Sequence, residues 1–512
     1  DAMKGRRIAS IKTAAAPTGG WNARDNLGEM NPKDAVILDN LIPMTTQVAL
    51  RDGSADHVTG ITGEVETLAV YSKADGSNQM FGAAGSSIYD VTAAGTVGAA
   101  VQSGLSNARF QTTNFATSGG KFLWLVNGAD SPRLYDGTTW TSVTGVSVPA
   151  ITGVTTSKLV HVNVFQRRLW FTELDSFRIW YLPVDTNGGA ASSFDLAPLF
   201  SQGGYLVGMG TWTLDSGSGM DDHAVFLSSK GQIAVYQGTD PTDATKWGLV
   251  GVYSVGSPIG RRCFASYASD LLIISKDGVL PMSKALASSR VTTAISITDK
   301  ISQPTSLATT VYETNYGWEL AAFPEQNLLI LNVPVTGGSQ QFVMYTINGS
   351  WCRFTGWDAT CFARMGNKLF FGTTGKVVQA LVGTSDSGVN IDFEALPSFQ
   401  YHGGMGLKRY TMARPIIATD NPSLGILLGL NVDFDQTAPV GVPTFPPVST
   451  AVWDASTWDS GLWAGDLAIQ KGWQTIGGVG YCAAIHIKGS TGSAQVRWQS
   501  TDYVYEMGSG FV

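Results

Sequence analysis

Residues 121–137 contain Lys121-Phe122-Leu123-Trp124-Leu125-Val126-Asn127 and, after a short break, Pro132-Arg133-Leu134-Tyr135-Asp136-Gly137, with Trp140 closing the phrase. Two short runs of aromatic and branched side chains, separated and ended by Asn, Asp, Gly and Pro, read as antiparallel strands joined by a turn. The same phrase returns on both sides. Upstream it is 66–71, 79–83 and 87–91; downstream it is 168–172 with 178–182, and 223–227 with 231–236. Further copies are 270–274 with 278–280, and 368–372 with 375–380.

The copies recur every roughly 40 to 60 residues, the spacing of β-propeller blades. One blade cannot bury both of its own faces, so several must stand around an axis to make a core. The repeat region, about 325 residues long, gives about six blades at that spacing, and seven or five are compatible with it. A series of β-sandwiches is the runner-up. The strand content around 206–213 is ambiguous, and a short helical turn is expected within 281–289.

Bulk composition agrees with many strands and many turns. Glycine contributes 60 of 512 residues, while charged residues make up 14% and hydrophobic residues 44%. Glycine is therefore well above its usual share of roughly 7%, and charge well below the usual ~25%. No glycine period of three exists, which excludes collagen, and the 15 Trp, 16 Tyr and 22 Phe need packing partners, which excludes disorder. A net charge of -7 excludes a nucleic-acid coat but permits nucleic acid to slide past without being held. The longest apolar runs are too short to span a bilayer, and no signal peptide is visible behind Lys4, Arg6, Arg7 and Lys12.

Three regions follow. Residues 1–60 form an arm and lead-in segment, interrupted by Pro17, Gly19 and Gly20 and basic through Lys4, Arg6, Arg7 and Lys12. Such an arm either docks at a specific place or frays. Residues 61–385 form the propeller. Residues 386–512 form a C-terminal β-sandwich-like domain with strands in 410–417, 424–434, 483–488 and 494–500. Within it, Trp453, Trp458 and Trp463 follow a proline-rich stretch; they bury either against their own sheet or against a neighbouring subunit.

Chemistry-bearing motifs are sparse. The four cysteines form no CxxC pair and the five histidines no metal-ligand spacing. Asp221-Asp222-His223 precedes a strand, where solvated turn residues are ordinary. The glycines at 203, 204, 208 and 210 lack a following helix and a phosphate-binding lysine. We therefore expect no catalytic residue, no metal and no cofactor. A glycoside hydrolase or glycan-binding propeller is the alternative class. The pairs Arg167-Arg168, Arg261-Arg262 and Lys408-Arg409 read as turn or interface contacts.

The segments Gly19-Gly20-Trp21-Asn22-Ala23-Arg24-Asp25, Asp34-Ala35-Val36-Ile37-Leu38-Asp39-Asn40-Leu41-Ile42-Pro43, Arg51-Asp52-Gly53 and Glu64-Val65-Glu66-Thr67-Leu68 precede the propeller-like middle. Together with Lys408-Arg409 and the Trp453-to-Trp463 stretch, they make the chain resemble the tail nozzle proteins of short-tailed bacteriophages, related to packaged-DNA stabilisation proteins. The resemblance implies a structural homohexamer in the virion tail, synthesised in the host cytoplasm. It would sit below the portal and adaptor rings, meet tail fibre or spike proteins, retain genomic DNA and let it pass on ejection. This would be a compact member, without the larger inserted domains of some relatives. On this reading Lys4, Arg6, Arg7, Lys12, Lys408, Arg409, Trp453, Trp458 and Trp463 are the candidate interface.

Overall fold

A computed structural model describes residues 9–215, 220–285, 296–421, 424–444 and 467–508. The expectations for Lys4, Arg6, Arg7, Trp453, Trp458 and Trp463 lie outside the described residues. The chain is all-β, with a propeller, further sheets at its C-terminal side and an N-terminal strand.

The phrase at 121–137 explains the architecture. In Gly120–Val126, Leu123 and Leu125 pack with Tyr71 and Phe81 of the preceding blade. Trp124 and Val126 point the other way and pack with Leu159, Leu169 and Phe171 of the next. Successive strand residues face opposite sides, so a strand wedged between two blades must be apolar throughout. The next seam repeats the arrangement, with Trp170 stacked on Trp247 at 5.6 Å and Trp247 on Tyr236 at 5.3 Å.

Five sheets belong to the ring. Blade one is the second half of Ser54–Ser72 with Asn78–Ala84 and Ser87–Asp90. Blade two is Gln111–Thr117, Gly120–Val126, Arg133–Tyr135 and Trp140–Ser142; blade three is Leu159–Phe165, Arg168–Glu173, Arg178–Tyr181 and Ser192–Asp195. Blade four is Leu206–Asp215, Met220–Ser228, Gln232–Gly238 and Trp247–Ser254; blade five is Phe264–Tyr267, Asp270–Ser275 and Gly278–Pro281. A sixth position is filled by Glu319–Phe323, Leu328–Val335, Gly338–Tyr345 and Ser350–Phe354, which continue into a nine-stranded sheet with Asp34–Asp39, Ile391–Pro397, Ala483–Thr491 and Ile426–Val432. The expectation of about six blades thus meets five sheets of the ring's own and one position shared with the C-terminal region.

The hairpin expected between 368–372 and 375–380 is instead one strand, Lys368–Ala380. Gly375 takes a left-handed φ of 77° at a register shift, which bulges the strand without reversing it. Its far half pairs with the first half of Ser54–Ser72, so a single long strand joins the end of the ring to its beginning. Residues 60 and 61 lie inside that strand, making arm and propeller continuous.

The lead-in is woven into the C-terminal side. Ala9–Ala15 pairs antiparallel with Val496–Met507, and Leu41–Pro43 and Val48–Leu50 extend the same seven-stranded sheet, which also holds Lys408–Thr419. A short helix, Met282–Ala285, falls where a helical turn is expected; the longer Ser302–Val311 has no counterpart in the sequence reading. All four cysteines are free and buried. Among the described residues, no helix is long and apolar enough to cross a membrane.

Candidate functional site

The innermost strands of all five blades and of the sixth position converge on an axial cavity of about 310 Å³. The contributions include Thr67, Gln111 and Thr112, His161 and Asn163, Thr211, Ser266 and Glu319. These strands carry polar residues because their inward groups meet the cavity and not a neighbouring blade. A second cavity of about 440 Å³ lies alongside, and Gln111, Arg261 and Arg262 line both.

Arg262 ties the inner strands together. Its Nη2 lies 2.9 Å from the Glu66 carbonyl, 2.8 Å from Thr67 Oγ1 and 3.1 Å from the Phe110 carbonyl. Its Nη1 stands 3.5 Å from Glu319, and its guanidinium covers the Tyr316 ring at 5.2 Å. Burial pushes the Glu319 carboxyl above its ordinary range, against the pull of Arg262 and a bond from the Phe362 amide. Glu319 is the sole carboxylate lining the axial cavity among the described residues. Hydrolysis by two facing carboxylates has only one partner there.

Arg261 is held differently. Its Nη1 reaches the Val207 carbonyl at 3.4 Å and its guanidinium lies over Tyr205 at 5.6 Å. His161 packs flat on Gly208, where a Cβ would come 3.0 Å from the ring. Removal from water, with the Arg261 charge second, pushes His161 down to about 4, so its imidazole is neutral at pH 7.

The residues expected at an interface have varied placements. Lys12 is exposed on the arm strand, opposite Tyr503. Arg409 is exposed; Lys408 is not. The Lys408 ammonium donates to the carbonyls of Gly404, Gly406 and Tyr481, so its charge is used inside the chain. Arg167 pairs with Asp185 at a turn, and Arg168 with Asp240. His223 packs against Trp212, and Asp222 accepts from Thr213. Among the described residues no cluster of His, Cys, Asp and Glu could hold a metal ion.

Two surfaces escaped the sequence reading. At one end of the seven-stranded sheet, Met405, Val479, Tyr481 and Met507 are each exposed: Met507 lies opposite Lys408 and Val479 opposite Arg409, on alternate faces of the sheet, and Met507 Cε lies beside Gly404 and Gly406. On blade four, the outer strand Trp247–Ser254 pairs on one side only and exposes Leu249, Val250 and Val252. It has no charged residue, the usual guard of a free strand edge.

No protein-family model matches this chain, and no curated protein matches it. Solved structures that it resembles include BBS1N in complex with ARL6DN, at 11% identity and a TM-score of 0.39, covering 64% of this chain and 96% of the other. The extracellular domain of the putative hybrid two component system BT3049 from B. thetaiotaomicron gives 12% identity and a TM-score of 0.40, over 73% of this chain and 44% of that one. YCF48 bound to D1 peptide gives 10% and 0.35, over 67% and 96%. Likenesses this distant bear on neither the ligand nor the role of this chain.

Proposed function

We propose that this chain is a structural, non-enzymatic subunit of a bacteriophage tail nozzle, assembling as a homohexameric ring below an adaptor. Genomic DNA would be retained by the ring and pass through it on ejection. The observation that supports this reading best is the end of the C-terminal sheet, where Met405, Val479, Tyr481 and Met507 are exposed and Val479 lies opposite exposed Arg409. Exposed apolar side chains beside an arginine are the ordinary material of a protein–protein contact.

The propeller axis itself is not the conduit in this reading. Its cavity of about 310 Å³ holds the volume of only about ten water molecules, and Arg262 binds the inner strands beside it. DNA would therefore run between copies, past a chain whose net charge of -7 disfavours sticking of the phosphates. Replacing Met405, Tyr481 and Met507 by Ser should leave circular dichroism unchanged and shift mass photometry from rings to single chains. A folded variant whose ring mass is unchanged would remove this patch from the interface.

A further inference from the structure

We propose that the axial cavity of the propeller is a binding site for a small hydroxylated carboxylate of the sugar-acid class. The inference is independent of ring assembly, because every group it uses belongs to one chain.

Of the charged groups lining the cavity, Arg262 and Glu319 face each other at 3.5 Å, so Arg261 is the surplus cation of the lining, with the Asp175 carboxylate acting on it from outside the lining. No carboxylate pairs with Arg261 among the described residues. Its contacts with Val207 and Tyr205 fix the guanidinium plane but leave most of its N–H groups without a protein acceptor. A guanidinium held flat, with free N–H groups in a fork, matches the planar geometry of a carboxylate. One surplus positive charge balances a monoanion and not a dianion.

The rest of the lining is suited to hydroxyls. Gln111, Thr112 and His161 come from blades two and three, remain partly exposed, and make no side-chain hydrogen bond within the chain among the described residues. Asn163 donates to Thr211 at 3.0 Å across the seam between blades three and four, which leaves its carbonyl oxygen free to accept. Neutral side chains able both to donate and to accept read hydroxyl groups, which do the same. A volume of about 310 Å³ stands at the small end of the range for ligand pockets, roughly 300–1,000 Å³. That is room for a single sugar-sized molecule.

Titration calorimetry on the full-length protein with D-glucuronate, D-glucose and inorganic phosphate tests the assignment. Glucuronate should bind saturably, with glucose and phosphate each about tenfold weaker or more. Arg261→Gln should weaken glucuronate about tenfold and erase its advantage over glucose. Gln111→Leu, which disturbs no internal hydrogen bond, should weaken both sugars together and covers the case in which Arg261→Gln fails to fold. Three results would overturn the proposal: no saturable glucuronate binding at millimolar concentration, phosphate or glucose binding as tightly as glucuronate, or folded variants that bind glucuronate as before.

Discussion

Arg51 shows how much of this fold rests on single side chains. It is fully buried, pairs with Asp386 at 2.6 Å, donates to Asn40 and the Thr355 carbonyl, and lies over Trp357 at 4.6 Å. Asp386 also accepts from Ser54 and Trp357, so one ion pair fastens the lead-in, the shared sheet and the end of the propeller. Beside it, a Cβ on Gly53 would stand 2.1 Å from the Ser385 carbonyl, which explains the glycine in Arg51-Asp52-Gly53. Arg51→Met leaves Asp386 without its cation and should cost about 3–5 kcal/mol in urea unfolding. A loss below about 1 kcal/mol would mean that the pair is dispensable. His402 supplies a pH signature. Burial, then the charges of Lys408 and Lys12, push it down to about 4, and its ring lies 4.4 Å from Tyr503. Its neutral form is favoured in the fold, so stability is intact above the unfolded value near 6.5 and declines as pH falls toward 4. His402→Phe should reduce the fall in melting temperature between pH 7 and pH 4.5, removing about 2 kcal/mol of pH-dependent loss. An identical fall in both proteins would contradict this.

At the scale of elements, the arm does its work within its own chain. Ala9–Ala15 covers one edge of Val496–Met507, from Ala9 opposite Glu506 to Ala15 opposite Ser500. Deleting residues 1–15 should speed hydrogen exchange at the amides of 500–506 that bond to the arm, while Gly120–Val126 keeps its protection. Unchanged exchange at 500–506 would mean that the pairing is not formed in solution. The second strands of the blades were legible because they are apolar on both faces: 121–127, 168–172 and 223–227 all lie wedged between blades. The inner strands were not. Gln111–Thr117 reads Gln-Thr-Thr-Asn-Phe-Ala-Thr, since its inward side meets a cavity, and no hydrophobic pattern marks it as a strand. For the same reason the site was hidden: Gln111, His161 and Arg261 are brought together by closure of the ring, and nothing local links them. A polar stretch of strand length before the apolar hairpin of blade two was the available signal. The helix Ser302–Val311 was missed because only Thr305, Ala308 and Thr309 are buried, too few apolar positions to show a helical period.

At the scale of the whole molecule, the proposed channel has to run where the blades leave room for it. The ring of blades satisfies its own seams through aromatic stacks such as Trp170 on Trp247, and it closes through one shared strand. Uncovered apolar groups among the described residues include those at the end of the C-terminal sheet and along the outer strand of blade four. Closed rings built from heterologous contacts use two different patches on each copy, and on the proposed reading these two surfaces would provide such a pair. The most direct test is electron-microscopic class averaging of the purified protein, alone and with the adaptor ring that the proposal assigns to it, viewed down the proposed ring axis. The account predicts six copies around an open central channel, with each propeller axis closed. Single chains under both conditions, or a ring whose passage runs through the propellers themselves, would contradict it.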